Sequence, residues 1–533
     1  MFFVSLGGRV ENTALFCNCK TKINDNNEAR DAMPRVFQCY QYHSHKKRLE
    51  FIERTFYYYL EHTFGFPDAN SDWPNKGGLN MFANNLTFDY TKEPSRDILC
   101  IDCKSFYASV EAVERKLDPL TDKLVVMSYY DDTGGQSRGS GLILASSPAA
   151  KKAYNISNVT RARDLPYPYP KDLVIAQPRM RVYMEKNQEI NKIYKRYVDE
   201  ANHHVYSVDE SFLDVTDSMK LFKVSSAYEM AQKIQKDVFA ETGIYTTIGI
   251  GDNPFLAKVA LDVGAKKTSD MIAEWRYEDI PTTLWQISDI TEVWGIGHRT
   301  ARKLKGMGIN TVHDLAHTSY PVLKDKLGVI GAQLYAHAWG IDRSFLGTPY
   351  VTKDKSIGNS QVLPRDYTNR DEIEIVVKEM ADQIGTRLRR AGAQAQVVGL
   401  GIGYSMDYVD ENGKRGVHKQ MKVTATNQSK VISQVALYLL SRLYDHQIVR
   451  HISLYSGNLV YNQAVQLDLF QPADEQVDQI KVEHIVDRIR KKYGFKSVVY
   501  ASSLQTGGRA IERSSLVGGH AGGMSGIEGE GHG

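Results

Sequence analysis

The chain has 533 residues, 42% hydrophobic and 24% charged, which is typical of a globular protein large enough for several domains. Its net charge of +3 is too small to indicate a nucleic-acid partner by itself. Five cysteines do not suit a secreted disulfide framework, the N-terminus lacks a secretion signal, and no apolar run reaches the roughly eighteen residues that span a membrane. We therefore expect a soluble, cytoplasmic protein with no membrane partner.

Residues 1–93 are rich in Tyr, Asn and His, and we assign them no role. They contain one group of Cys and His side chains whose types could suit zinc. These are Cys17, Cys19, Cys39, His43 and His45. Their spacing is not that of a standard zinc finger, so ordinary surface residues are the simpler interpretation.

Two apolar runs end in carboxylates. DILCID (97–102) predicts a buried strand that ends at Asp102, and YSVDES (206–211) places Asp209 and Glu210 after a second apolar run. Carboxylates at strand ends repel one another unless a cation lies between them, and Mg²⁺ prefers carboxylate oxygens. The pattern therefore predicts a divalent-cation site suited to phosphoryl transfer.

Both carboxylate groups also have a purely structural interpretation. Asp102 could cap the following helix, predicted at 104–116, because an Asp side chain accepts hydrogen bonds from the free N–H groups of a helix start. Asp209 and Glu210 could be turn residues between HHVYSV and SFLDV. Each residue taken singly leaves these alternatives open, and the order of further motifs favours the metal site.

The elements that follow alternate between strands and helices. The spacing of apolar residues predicts a helix at SAYEMAQKIQKDVFAE (226–241) and a strand at YTTIGIG (245–251). Lys258 follows in PFLAKVA. Mixed strand and helix order of this kind indicates an α+β domain.

The segment VWGIGHRTARKLKGMGI (293–309) predicts a helix, a glycine-rich hairpin and a second helix. Gly295 and Gly297 allow close approach to the backbone, and the N–H groups of the next helix start can bind a phosphate. Three cations follow at once. They are Arg299, Arg302 and Lys303. A helix-hairpin-helix of this type grips duplex DNA through its phosphates without reading its sequence.

The order of four motifs resembles the Y-family DNA polymerases, and within them the bacterial UmuC-like lesion-bypass branch. The motifs are DILCIDCKSFYASVE (97–111), VYSVDESFLDVT (205–216), IGIGDNPFLAKVALDVGAKK (248–267) and VWGIGHRTARKLKGMGINTVHDLA (293–316). The resemblance runs from about residue 94 to about residue 520. Because it begins soon after Met81, we expect the preceding extension to be dispensable for activity.

The resemblance implies an α+β multidomain fold of the right-hand polymerase type. Its expected parts are an N-terminal extension of unknown role (1–93), a catalytic palm (94–103 and 175–267), small fingers (104–174), a helical helix-hairpin-helix thumb (268–345), a linker (346–355), an α/β little finger (356–505) and a glycine-rich tail (506–533).

The resemblance also implies the roles of several residues. Asp102, Asp209 and Glu210 are expected to be catalytic and, with the backbone carbonyl of Cys103, to hold two Mg²⁺ ions. Tyr107 is expected to be the steric gate, a ring under the sugar that leaves no room for a 2′-hydroxyl. Its neighbour Phe106 belongs to the same nucleotide-binding turn, although core packing is the better interpretation for it.

Two lysines are expected at the nucleotide phosphates. Lys258 matches a family lysine that reaches the incoming triphosphate, and Lys152 lies where many family members carry a phosphate-binding arginine. Ala149 lies where several carry a tyrosine. These departures leave the second phosphate contact open, and the neighbouring Lys151 could serve instead.

The C-terminal half contains candidate contacts to DNA and to a second protein. Ser356, Arg365 and Arg389 are plausible DNA-backbone contacts, with ordinary surface charge as the alternative. QLDLF (466–470) resembles the peptide with which bacterial polymerases bind the sliding clamp, with an edge strand as the alternative. Its expected contacts are Gln466, Leu467, Leu469 and Phe470. KVEHIVDRIRKKYG (481–494) predicts a closing helix.

The sequence thus predicts a template-directed DNA polymerase of low fidelity that performs translesion synthesis in DNA repair and the damage response. Its expected partners are primer-template DNA, deoxynucleoside triphosphates, a sliding clamp and possible accessory SOS proteins. One alternative is a catalytically silent DNA- and clamp-binding protein that displaces other polymerases. A second is a palm-domain nucleotide cyclase, which has no need of a helix-hairpin-helix.

Overall fold

The computed structural model describes residues 88–127, 142–157, 160–348, 355–461, 467, 472–514, 516–517 and 520–521. The candidate zinc ligands lie outside these residues, as do all of QLDLF except Leu467 and most of the expected linker. Within the described residues, no helix is both long and apolar enough to cross a membrane.

The strands of the described residues belong to three main sheets and one short terminal hairpin. In chain order they are β1 Ile98–Cys103, β2 Leu124–Met127, β3 Ile143–Ser146, β4 Val174–Ala176, β5 His203–Val205, β6 Glu210–Asp214, β7 Thr246–Gly251, β8 Ile272–Trp275, β9 Ile357–Tyr367, β10 Ala393–Tyr404, β11 Gly416–Thr426, β12 Val449–Tyr461, β13 Leu516–Val517 and β14 His520–Ala521.

The α-helices are shorter in the middle of the chain than in the C-terminal part. In chain order they are α1 Phe106–Glu114, α2 Pro148–Tyr154, α3 Met180–Tyr194, α4 Met219–Phe222, α5 Ala227–Thr242, α6 Pro254–Val259, α7 His298–Lys305, α8 Val312–His317, α9 Tyr320–Leu327, α10 Val329–Ala338, α11 Arg370–Arg390, α12 Ser429–Leu443, α13 Ala473–Tyr493 and α14 Ala510–Arg513.

The central sheet has five strands in the order β5-β6-β1-β7-β8, and only β7 and β8 run parallel. Residues 98–101 of strand β1 form a continuous apolar run because both faces of the strand are covered there. Leu99 and Ile101 pack into the core beneath α3 and α5, whereas Ile98 and Cys100 pack against α6. Since successive side chains alternate between faces, Asp102 shares the α6 face of the sheet.

A second sheet has three strands in the order β3-β2-β4. Strand β4 pairs with β2 in parallel, so this sheet runs two residues past the expected fingers boundary at 174. Helix α1 lies between the two sheets. It packs Phe106 and Val110 into the central core and Ala108 and Ala112 against the three-stranded sheet.

Helices α7 to α10 share one apolar core with the segment that follows β8. Phe88 and Tyr90 also pack against this core, and Tyr90 stacks on Tyr277 with ring centroids 4.9 Å apart. Glu93, nearly fully buried, forms an ion pair with Arg343 at 2.5 Å. Residues 88–93, expected within the N-terminal extension, therefore belong structurally to the helical region.

The C-terminal sheet is fully antiparallel in the order β11-β10-β12-β9. Helices α11 and α12 cover one of its faces and bury a single apolar core with it. Helix α13 begins eight residues before the expected closing helix at 481. The hydroxyl of Tyr367 donates a hydrogen bond to the carbonyl of Gly507 at 3.1 Å, so ordered packing continues past the expected boundary at 505.

Helix α13 docks on α11 through buried charges. Arg389, with only 4% of its side chain exposed, contacts Glu483 and Asp487, each at 2.6 Å. Arg490 contacts Asp382 at 2.7 Å. Arg389 is therefore not available to a DNA phosphate in this structure, contrary to the expectation from sequence, because carboxylates of α13 enclose it.

Loss of Arg389 should strongly destabilise the C-terminal domain. Arg389→Ala leaves Glu483 and Asp487 buried without a cation, and removal of one member of a buried ion pair costs about 3–5 kcal/mol. Arg370→Ala on the same helix is the matched control, because its pair with Glu374 is half exposed and contributes about 0.3–0.5 kcal/mol. Urea unfolding of both variants measures the difference, and equal losses would contradict a structural role for the buried network.

Candidate active site

Asp102 and Glu210 lie opposite each other on adjacent strands of the central sheet. Strands β1 and β6 are antiparallel with Asp102 in register with Glu210, so the two side chains leave the same face about 5 Å apart at their Cβ atoms. Asp209 immediately precedes β6, and its carbonyl accepts a hydrogen bond from the N–H of Cys103 at 2.9 Å. The strand register therefore brings together the three carboxylates that sequence reasoning singled out.

Of the two purely structural interpretations of these carboxylates, the helix cap is absent and the turn is present. Helix α1 begins after Ser105, which adopts a left-handed conformation (φ 49°) and forms no side-chain cap, so Asp102 does not cap the helix. A hydrogen-bonded turn does precede β6. Ser207 accepts hydrogen bonds from the N–H groups of Asp209 and Glu210 at 3.3 and 3.0 Å and donates one to the Asp209 carboxylate at 2.6 Å. Sequence analysis missed Ser207, which holds the carboxylate turn.

Lys258 forms the cationic side of the site. Its ammonium contacts Glu210 at 2.5 Å and Asp262 at 2.9 Å, and its side chain is only 7% exposed. Asp262 lies in the π-helical turn Ala260–Gly264 and also binds Lys266 at 2.8 Å. In the structure Lys258 therefore neutralises one of the three predicted metal ligands.

A glycine in β7 determines how close α6 lies to the sheet. A Cβ atom on Gly249 would lie 2.1 Å from the carbonyl oxygen of Ala257, so only glycine allows this contact. Helix α6 starts at the cap residue Asn253, whose side chain accepts from the N–H of Leu256 at 2.9 Å. The close approach places Lys258 over the end of β1.

The electrostatics of the site favour an added cation. Burial, together with the charges of Asp209 and Glu210, raises the pKa of Asp102 to about 7 in spite of Lys266 and Lys258. The donor set is carboxylate oxygen, which suits a hard ion such as Mg²⁺. Within the described residues no three acidic, His or Cys side chains already converge as a ligand cluster, because Glu210 points to Lys258 and Asp209 to Ser207.

Lys151 lies within electrostatic reach of Asp102. Burial and the charges of Lys104 and Lys266 lower the pKa of Lys151, while Asp102 raises it, so these three groups lie within electrostatic reach of Lys151. Lys152, by contrast, is exposed. Three lysines close together repel one another, and a polyphosphate would relieve that repulsion.

Phe106 and Tyr107 occupy different environments. Phe106 is 3% exposed and belongs to the central core, which agrees with core packing. Tyr107 is partly exposed, and burial and the charge of Asp209 raise its pKa, so its hydroxyl lies within electrostatic reach of Asp209. Tyr107 therefore lies at the edge of the carboxylate site, and its role as the steric gate stays a prediction.

The glycine-rich hairpin leaves its backbone open. Gly295 adopts a left-handed conformation (φ 92°), Gly297 caps α7, and neither has a neighbour within 4 Å of an added Cβ atom. Arg299, Arg302 and Lys303 are exposed on α7. The segment before the hairpin is only a 3₁₀ turn, Ile290–Glu292, instead of the expected helix.

Of the predicted clamp motif, Gln466, Leu469 and Phe470 lie outside the described residues, and the structure describes Leu467 alone.

Four features together define a polymerase of the right-hand type. They are the central sheet with paired carboxylates, the small second sheet, the glycine-rich helical region and the separate antiparallel sheet. The sequence pattern described as the impB/mucB/samB family matches residues 101–262, and that of its C-terminal domain matches residues 354–469. The pattern described as the DNA polymerase-iota thumb domain matches residues 291–342.

Individual relatives agree with the family patterns. The chain is 39% identical to the putative UV-damage repair protein UvrX of Bacillus subtilis, over 81% of this chain and 99% of the relative. It is 32% identical to DNA polymerase IV 2 of the same organism, over 79% of this chain and 98% of the relative. A solved Y-family DNA polymerase chimera of Dbh and Dpo4 has the same fold, with a TM-score of 0.54, 21% identity, and coverage of 69% of this chain and 100% of the chimera.

The chain therefore belongs to the impB/mucB/samB family of Y-family DNA polymerases, and its class is that of a DNA-directed DNA polymerase.

Gly249→Ala should displace α6 from the sheet, because the new methyl group would collide with the backbone of Ala257. Overpacking of this kind costs about 1–3 kcal/mol. Gly457→Ala in β12 is the matched control, since its added Cβ atom would meet only Val397 at 4.0 Å. Denaturant unfolding compares the two variants, and a Gly249→Ala variant no less stable than Gly457→Ala would contradict the proposed contact.

Proposed function

We propose that the protein is a template-directed DNA polymerase of low fidelity that carries out translesion synthesis by two-metal nucleotidyl transfer. The observation that carries this proposal is the register of Asp102 with Glu210, beside Asp209 and within reach of Lys258. The proposal explains why three carboxylates lie beside lysines at one end of a buried sheet, although the burial and mutual repulsion of the carboxylates cost free energy.

The carboxylates are proposed to hold two Mg²⁺ ions through Asp102, Asp209, Glu210 and the carbonyl of Cys103. When bound, the ions would neutralise charge on the attacking and leaving oxygens of the reaction. The raised pKa of Asp102 supports this assignment, because a buried carboxylate among other carboxylates favours a cationic partner. Glu210 would have to turn from Lys258 toward the ion.

In the proposed reaction the primer 3′-oxygen forms a bond to the α-phosphorus of the incoming nucleotide. The bond from that phosphorus to the bridging oxygen breaks, pyrophosphate leaves, and the hydroxyl proton passes to solvent. Lys258 is proposed to bind the triphosphate once it is released from Glu210, since a flexible ammonium suits clustered phosphate charge. Lys151 supplies the second phosphate contact in place of the expected Lys152.

Tyr107 is proposed to select the sugar. Its ring borders the carboxylates and is partly exposed, so it can lie under the deoxyribose and exclude a 2′-hydroxyl. The N–H groups near Gly295 and Gly297 and the exposed cations Arg299, Arg302 and Lys303 are proposed to grip the duplex through its phosphates.

The cellular setting is proposed from the relatives and from sequence. The putative UV-damage repair protein UvrX supports a role in DNA repair and the damage response. We further propose that a sliding clamp binds Gln466, Leu467, Leu469 and Phe470. The proposal also includes accessory SOS proteins and a cytoplasmic location.

A catalytically silent DNA- and clamp-binding protein is the less favoured alternative. Such a protein would not need Asp102 opposite Glu210, and that pairing is costly unless a cation is used. A nucleotide cyclase is also disfavoured, because residues 291–342 match a polymerase thumb.

The two neighbouring lysines of α2 should differ in their effect on nucleotide binding. Lys151→Ala removes a charged phosphate contact, and loss of about 1.5–3 kcal/mol should raise the KM for deoxynucleotide by about tenfold or more. Lys152→Ala removes the same charge one residue away and should leave KM within about twofold, because it faces solvent. Steady-state primer extension measures both, and the reverse order of effects would contradict the assignment of Lys151.

The central experiment is primer extension with Mg²⁺ and four deoxynucleotides on an undamaged template and on a template with an abasic site. Wild-type protein should extend past the lesion. Asp209→Ala should lose activity by about a hundredfold or more while still binding DNA, because a group that stabilises transition-state charge is lost.

Ser218→Ala, at the N-cap position of α4, serves as the control substitution because the Ser218 side chain forms no capping hydrogen bond. Undiminished extension by Asp209→Ala would refute the metal site. Absence of extension by wild-type protein on both templates, with DNA still bound, would favour the silent binding protein.

A further inference from the structure

The ring of Tyr107 is supported from behind by a second tyrosine. Tyr183 of α3 lies nearly parallel to Tyr107, with ring centroids 4.5 Å apart and an interplanar angle of 16°. Tyr183 is fully buried, whereas Tyr107 is partly exposed. The stacked pair therefore has an inner ring in the core and an outer ring at the edge of the candidate site.

A buried carboxylate holds the inner ring in place. The hydroxyl of Tyr183 donates a hydrogen bond to Glu111 at 2.8 Å, and Glu111 is fully buried on α1. Arg179 donates two further hydrogen bonds to Glu111, each at 2.9 Å, and Arg115 contacts it from the next turn. Since each carboxylate oxygen has a fixed donor, Tyr183 has little freedom to rotate or retreat.

The same network ties together the two helices that carry the rings. Tyr107 and Glu111 lie one turn apart on α1, and Arg179 and Tyr183 lie one turn apart at the start of α3. Burial alone would raise the pKa of Glu111, but the hydrogen bonds from Arg179, Tyr183 and Arg115 outweigh it and lower that pKa. Glu111 is therefore ionised at neutral pH and binds its donors strongly.

We propose that Tyr183 is a positioning residue for sugar selection, whose buried ring fixes how far the ring of Tyr107 extends toward the sugar of the incoming nucleotide. This inference rests on the proposed function, in which Tyr107 excludes the 2′-hydroxyl. Protein interiors are close-packed, so removal of Tyr183 leaves a space into which Tyr107 can withdraw. The 2′-hydroxyl of a ribonucleotide then fits.

The test measures kcat/KM for dCTP and for CTP opposite a template dG, and compares their ratio between variants. A ratio is insensitive to the fraction of active protein, so partial unfolding does not change it. Tyr183→Leu should lower the ratio by about tenfold or more, in the same direction as Tyr107→Ala, because both variants free space at the sugar. Tyr183→Phe retains the stacked ring but loses the hydrogen bond to Glu111, so its ratio should lie between those of wild type and Tyr183→Leu.

Tyr197→Leu is the matched control. Tyr197 is buried in the same core and donates a hydrogen bond to the carboxylate of Asp237, but it stacks on Phe222, with centroids 4.8 Å apart, whereas Tyr107 stacks on Tyr183. Its loss removes an equivalent stacked tyrosine and should leave the ratio unchanged. If Tyr183→Leu does not fold, Tyr183→Met, which fills more of the space, replaces it in the comparison.

The outcomes separate the inference from the function on which it rests. An unchanged ratio in the folded Tyr183 variant, alongside a lowered ratio in Tyr107→Ala, would overturn the inference and leave the proposed function intact. An equal fall in Tyr197→Leu would also overturn it, since general loosening of the core would then suffice. No extension with deoxynucleotides by wild-type protein would overturn the proposed function itself.

Discussion

The repulsion between Asp102 and Glu210 is the constraint on which the rest of the site depends. The register of β1 with β6 fixes the two carboxylates opposite each other, and burial under α6 denies them full solvation. Such a pair persists only with cations nearby, and Lys258 supplies one directly to Glu210. The lysines at this end of the sheet stabilise the carboxylates electrostatically, and any phosphate that they bind must compete with that interaction.

Helix α6 connects this electrostatic centre to the helical region. Its cap residue Asn253 donates hydrogen bonds to the hydroxyl of Tyr277 at 3.1 Å and to the carbonyl of Gly340 at 2.8 Å, the latter at the end of α10. Gly249 brings the other side of α6 against β7. The position of Lys258 is therefore set jointly by the central sheet and by the helical region that carries the proposed DNA grip. A shift of the helical region would be transmitted to the phosphate contact through α6.

Sequence could reveal Asp102 because it follows an apolar run, and a charge at the end of a buried strand needs a reason. The expectation of a buried strand before Asp209 and Glu210 was wrong, since β5 is partly exposed and Glu210 begins β6. Sequence could not choose between Lys151 and Lys152, since neighbouring residues on a helix point about 100° apart and only packing decides which faces inward. It also placed Arg389 at the surface, because its carboxylate partners lie 94 and 98 residues further along the chain. Tyr183 was missed for the same reason, since its partner Glu111 is 72 residues away.

The buried charges of Arg389 and Glu111 have different consequences. Buried ion pairs seldom add stability over apolar side chains of similar volume, so their value lies in the geometry they fix. At Arg389 the geometry fixed is the docking of α13 on α11, far along the chain from the carboxylates. At Glu111 it is the orientation of a tyrosine ring stacked on Tyr107. An apolar residue at position 111 could fill the same space, but it would leave the hydroxyl of Tyr183 without its acceptor and the outer ring without a fixed support.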